Sequence, residues 1–207
     1  MRTRVKICGI TSAADGLAAA RAGADAIGLI FHPPSPRRVT LERAAEIAAG
    51  LPPFVARVAV FVNPSAAHVD AVIGACRPSL LQFHGEEAPE FCRGFGAPYL
   101  RAVRVRSGVD LLECLAAYED AAGWLLDAYR DDLYGGTGEA FDWGLIPQHL
   151  ARPVILSGGL DAQNVGEAVR RVRPWAVDVS SGVESAKGVK DERLIAAFIA
   201  GVRNADA

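Results

Sequence analysis

Eight short apolar runs recur along this chain at a spacing of roughly 25 residues, the length of one strand–helix repeat. They cover residues 5–8, 26–31, 55–62, 80–83, 99–105, 124–127, 154–157 and 176–179. Within most of them hydrophobicity is continuous rather than alternating, the pattern of strands buried on both faces in a parallel sheet covered by helices. The intervening segments carry helix signals. Ser12 and Asp15 have capping-box spacing ahead of a helix over 16–21, with Gly23 just past its end. Thr40 is placed to cap 41–49, where Leu41, Ala44, Ala45 and Ala48 share a stripe. Asn63-Pro64 reads as N-cap and first-turn proline of a helix over 65–75. Asp161 reads as the cap of 162–171, with Val165, Ala168, Val169 and Val172 on one face, and a last amphipathic run covers 192–202. Eight such units favour closure over an open sheet, and no GxGxxG follows the first strand. The expected architecture is α/β: a single (β/α)8 TIM barrel spanning residues 1–207.

Composition narrows the function classes. At 207 residues and 51% hydrophobic content the chain can bury one large core. A net charge of −2 argues against a nucleic-acid partner, which would want a basic face. The longest apolar stretch, 54–62, is interrupted by Arg57 and too short to span a bilayer, and the N-terminus has no apolar signal core. The expectation is a cytoplasmic protein with no membrane partner, either a monomer or a homodimer. Of the four cysteines, Cys76, Cys92 and Cys114 read as reduced thiols acting as small hydrophobes. There is no CxxC pair and no zinc spacing, so no metal site is expected. Cys8 is different. It ends the first strand, directly before Gly9, and is a candidate nucleophile or proton carrier.

In a barrel of this kind the chemistry sits at the C-terminal ends of the strands. Those positions hold Cys8, His32, Asn63, His84, Arg104, Asp127, Ser157-Gly158-Gly159 and Asp178-Val179-Ser180-Ser181-Gly182, several of them polar after apolar strands. Glycines let backbone N–H groups approach an anion, and helix N-termini favour it. Loops after the seventh and eighth strands commonly bind phosphate. Gly158, Gly159, Ser180, Ser181 and Gly182 are therefore candidate phosphate ligands. The long connection 128–141 is also glycine-rich, and its Gly136 and Gly138 are a further candidate pair. The bland alternative is that all these glycines serve tight turns.

The segments VKICGIT (5–11), SPR (35–37), LQFHG (81–85), LD (126–127), GGTG (135–138), FDW (141–143), LSGGL (156–160) and VDVSSGVE (177–184) closely resemble the phosphoribosylanthranilate isomerase family, in order and spacing from the first strand to the last loop. The resemblance implies an Amadori rearrangement of N-(5-phosphoribosyl)anthranilate to 1-(2-carboxyphenylamino)-1-deoxyribulose 5-phosphate, in tryptophan biosynthesis. Such chemistry needs one acid and one base but no cofactor, because the protonated imine is itself the electron sink. By family pattern Cys8 is the general base and Asp127 the general acid, facing one another from strands one and six. Arg37 matches the position that contacts the anthranilate carboxylate, with Arg38 as its competitor. Asp178 matches a position near the ribose hydroxyls or the amine, and Gln82 and His84 share a strand face beside it. Lys6 alternates onto the face of Cys8 and would favour its thiolate. Glu139, beside the glycine-rich loop, is expected to face solvent. The weighed alternatives are a metal-dependent epimerase, the related histidine-pathway isomerase, which would carry an aspartate in place of Cys8, and a non-catalytic barrel that binds a phosphorylated ligand.

Overall fold

A computed structural model describes residues 2–105, 108, 110–128, 143–147 and 149–207. Eight parallel strands close on themselves in sequence order: β1 (Arg4–Cys8), β2 (Ala26–Ile30), β3 (Ala56–Phe61), β4 (Leu80–Phe83), β5 (Tyr99–Val105), β6 (Gly123–Ala128), β7 (Val154–Leu156) and β8 (Ala176–Val179). The seam is the pairing of β8 with β1, where Lys6 lies opposite Asp178. Helices α1 (Ala13–Ala22), α2 (Leu41–Gly50), α3 (Ala66–Cys76), α4 (Pro89–Arg93), α5 (Leu111–Ala116), α6 (Val165–Val172) and α7 (Glu192–Asp206) follow strands one to five, seven and eight. After β8 the chain also makes a small hairpin of β9 (Glu184–Ala186) and β10 (Val189–Lys190).

Strand alternation sorts side chains into two cores. Outward-facing residues such as Val5, Ile7, Phe61, Phe83, Leu126 and Val177 pack against the helices. Inward-facing Val58, Val60, Leu100, Ala102, Leu125 and Ile155 form a second cluster with Cys8. Along the inward positions chemistry changes with height. Apolar residues fill the lower barrel, while Gln82, Asp127, Ser157 and Asp178 replace them at the upper ends and are buried there. Burying four polar side chains costs stability unless each is partnered, so this layer is where function is sought.

Several expected helix starts are as read. Ser12 accepts from Asp15 N–H, Gly23 closes α1 in the left-handed region, and Thr40 accepts from Arg43 N–H. Two are corrected. The cap of α3 is Ser65, which accepts from His68 N–H, and not Asn63. Asn63 is left-handed (φ 48°), and its Oδ1 accepts from Glu86 N–H, so it ties the ends of β3 and β4 together. Asp161 caps a turn rather than the helix, accepting from Gln163 and Asn164 N–H. α6 then starts at Val165 behind Asn164. The final helix runs on to Asp206, whose carboxylate accepts from Thr3 N–H and Oγ1 at 2.7 Å each, fastening the last helix under the first strand.

Candidate active site

One cavity opens at the upper end of the strands, lined among others by Cys8, Arg37, Gln82, His84, Asp127, Ser157, Asp178 and Ser180. Cys8, Asp127, Arg37, Gln82, His84 and Asp178 were all singled out from the sequence, and they come from five different strand ends. Cys8 can sit beside β2 because its register partner there is Gly28. A Cβ at that glycine would lie 2.6 Å from Cys8 Sγ and 3.2 Å from Lys6 Nζ.

The charges around Cys8 form an ordered set. Lys6 Nζ donates to Asp178 Oδ1 at 2.7 Å, and Ser157 Oγ donates to Asp178 Oδ2 at 3.2 Å. Burial opposes the Lys6 charge, but Asp178 and Cys8 outweigh it and bring the ammonium up to about 12. The sequence expectation that Lys6 favours the thiolate holds for its direction only. Burial pushes the Cys8 thiol up, against the lowering fields of Lys6 and Lys190, and the net shift is upward. The balance between thiol and thiolate is therefore moved toward the thiol.

Across the cavity, Asp127 Oδ2 lies 3.1 Å from His84 Nε2, and His84 Nδ1 lies 3.2 Å from the Gln82 amide nitrogen. Both Asp127 and Gln82 are buried, and Gln82 Oε1 has no partner among the described residues. The loop carrying His84 is braced from below. Glu87 accepts from the N–H groups of Asn63 and Gly85, Arg101 donates to Glu87 Oε2 at 2.8 Å, and its other amino group donates to the Gly85 carbonyl.

The two glycine loops meet. Gly158 and Gly159 both have left-handed backbones (φ 88° and 65°), which side chains rarely adopt. A Cβ on Gly182 would collide with the Leu160 carbonyl and lie 3.1 Å from Asp161 Cα, so the loop after β8 rests directly on the loop after β7. Gly136, Gly138 and Glu139 lie outside the described residues. Among the described residues, no group of three or more His, Cys, Asp or Glu converges on a common metal position.

The arrangement matches a known group of proteins. The family model described as N-(5'-phosphoribosyl)anthranilate (PRA) isomerase matches residues 5–201. The chain belongs to the PRA isomerase family. A Dechloromonas aromatica N-(5'-phosphoribosyl)anthranilate isomerase is 55% identical over 206 residues, covering 100% of this chain and 99% of that one. The crystal structure of the Thermotoga maritima isomerase superposes with a TM-score of 0.91 at 42% identity, covering 98% of this chain and 99% of that one; another structure of that protein shows monomers generated from its dimeric form. An isomerase solved in complex with reduced 1-(o-carboxyphenylamino)-1-deoxyribulose 5-phosphate matches with a TM-score of 0.84 at 38% identity, over 98% of this chain and 99% of that one.

For a PRA isomerase two features of the mouth went unread in the sequence. The fork of Arg37 is engaged by Glu184, at 2.7 Å from Nε and 2.8 Å from Nη2. Glu184 in turn accepts from Lys190 Nζ at 2.7 Å. Glu184 stood in a quoted motif without a role, and Lys190 was not singled out at all. The signal for Lys190 was weak: it is the second of two lysines flanking Gly188-Val189, in a short stretch with no periodicity. Arg38, the competitor of Arg37, is exposed, while Arg37 is buried and lines the cavity.

Proposed function

We propose that Cys8 is the general base and Asp127 the general acid with which this PRA isomerase converts its aminoaldose phosphate into the aminoketose of tryptophan biosynthesis. The observation that carries the assignment is that these two groups line one cavity together with Ser157 and Ser180, the residues that lead into the two glycine loops. Asp127 gives its proton to the furanose ring oxygen. The C1–O bond breaks, and the nitrogen lone pair forms a protonated imine at C1. In the working form the one proton of the acid–base pair sits on Asp127 and Cys8 is a thiolate, which takes the C2 proton. The released electron pair forms the C1–C2 double bond of an enolamine as the imine pair returns to nitrogen, and the enolamine tautomerises to the ketone. The loops at Gly158-Gly159 and Ser180-Ser181-Gly182 hold the phosphate, Arg37 meets the anthranilate carboxylate, and Asp178 faces the ribose.

His84 and Gln82 support the acid. With its ring hydrogen on Nε2, His84 donates to Asp127 Oδ2 while the Gln82 amide N–H donates to Nδ1, so these bonds fix the orientation of the carboxyl group that faces the substrate.

The working pair is a thiolate and a carboxylic acid, so kcat/KM follows a bell whose limbs are the apparent pKa values of the pair. Because burial raises the thiol, the alkaline limb is expected above the ordinary thiol value of about 8.5. An alkaline limb near neutrality in a pH–rate series would contradict Cys8 as the base. The activity itself is tested by following the fluorescence of freshly formed substrate with the purified protein and a chelator. Unchanged fluorescence would overturn the function.

Cytoplasmic residence is part of the same proposal. No described helix is long and apolar enough to cross a membrane. The proposed assembly is a homodimer, as in the dimeric Thermotoga maritima relative. Phe54, with φ 70°, stands fully exposed among Leu51, Pro52 and Pro53 ahead of β3, at the barrel end opposite the mouth. A fully exposed ring there is what a second copy would cover. Phe54→Glu is expected to halve the mass in light scattering without loss of turnover, whereas a monomeric parent protein would refute the dimer.

A further inference from the structure

Arg37 meets Glu184 through one edge only. Its Nε and Nη2 each donate one hydrogen to the carboxylate. A guanidinium carries five N–H donors in one plane, so the opposite edge, Nη1 with the second hydrogen of Nη2, keeps three. Glu184 Oε1 also accepts from Lys190 Nζ, and that ammonium donates further to the Ser180 carbonyl at 3.0 Å and hydroxyl at 3.4 Å. All three charged side chains are nearly buried. Two cations around one carboxylate leave a single positive charge at the rim, on the arginine that lines the cavity.

The hairpin carries two members of this group. Glu184 and Lys190 are register partners at its base, and Gly188 (φ 80°) turns it. Thr11 Oγ1 donates to the Gly188 carbonyl at 2.6 Å, pinning the hairpin tip over the end of β1. Gly9 completes the seat, since a Cβ there would lie 2.6 Å from Arg37 Cδ. One ammonium therefore ties Glu184, and through it Arg37, to the Ser180 loop assigned to the phosphate.

We propose that Glu184 and Lys190 are positioning residues for substrate selection: Glu184 fixes one edge of Arg37 so that the other faces the substrate carboxylate, and Lys190 cancels the repulsion Glu184 would exert on it. The proposal rests on the reading of Arg37 as the group that meets that carboxylate. Two effects of opposite sign compete when Glu184 is neutralised. Arg37 loses its fixed orientation, which weakens carboxylate binding, while a nearby negative charge disappears, which strengthens it. With Lys190 already offsetting that charge, orientation dominates.

The test is calorimetric binding of reduced 1-(2-carboxyphenylamino)-1-deoxyribulose 5-phosphate and of its counterpart without the carboxylate. Glu184→Gln is expected to weaken the first by about tenfold or more and the second by no more than about twofold. Lys190→Met is expected to act in the same direction, again only on the carboxylate-bearing ligand. Equal loss for both ligands would reduce Glu184 to a structural ion pair, and tighter binding of the first would make it a repelling charge; either overturns the proposal. Arg37→Met separates the two levels. It is expected to erase the preference for the carboxylate, and a preserved preference would sink the reading of Arg37 itself. Erasure by Arg37→Met with none by Glu184→Gln would sink the positioning role alone.

Discussion

Replacing Cys8 with alanine is expected to lower kcat by about 10²- to 10⁴-fold, the span of a positioned acid or base, while the Kd of the reduced product analogue stays within a few fold. The reasoning is local. Sγ is the side-chain atom at the end of β1 that can accept a proton, and Gly28 leaves space around it that a smaller side chain does not disturb. The Lys6–Asp178 pair, 2.7 Å apart, does not involve the sulfur, so the neighbouring field is expected to remain. Steady-state fluorescence assays with a parallel calorimetric titration check both halves. Turnover within tenfold of the parent would remove Cys8 from the mechanism.

A loss of similar size is expected for Asp127→Asn, again about 10²-fold or more. Asparagine keeps the shape and can still bond to His84 Nε2, but it has no proton to give to the ring oxygen. The substitution therefore separates position from chemistry. Because Asp127 is buried and bonded, alanine would be a poorer probe, leaving His84 without its partner. Ligand binding that falls together with turnover would recast Asp127 as a binding group.

The barrel was legible because its strands carry a signal that no helix shares: continuous apolar runs at a fixed period, closed by strand-end polar residues. Eight runs correspond to eight strands, three of them with identical limits, at 80–83, 99–105 and 176–179. Capping was legible where a side chain serves only its own helix, as at Ser12 and Thr40. It misled at Asn63, whose carbonyl is claimed by Glu86 across the neighbouring strand end, a long-range demand that local spacing does not show. Short helices α4 and α5 have too few turns to display a periodicity. The site divides in the same way. Cys8, Asp127 and Asp178 follow from strand ends and family pattern, since strand alternation fixes which way they point. Lys190 does not, because a two-residue strand in a polar hairpin acquires its partners only through tertiary placement. The direction of the Cys8 shift was equally hidden: a sequence shows a lysine two residues away but not how completely both are buried.

The central claim is that the C2 proton leaves to Cys8 after Asp127 has opened the ring. Comparing substrate deuterated at C2 with ordinary substrate in two variants tests it most directly. In Cys8→Ser the weakened base makes C2 proton removal limiting, and a primary isotope effect is expected on the residual turnover. In Asp127→Asn ring opening is limiting, and no isotope effect is expected. An isotope effect in Asp127→Asn with none in Cys8→Ser would contradict the assignment of the two roles.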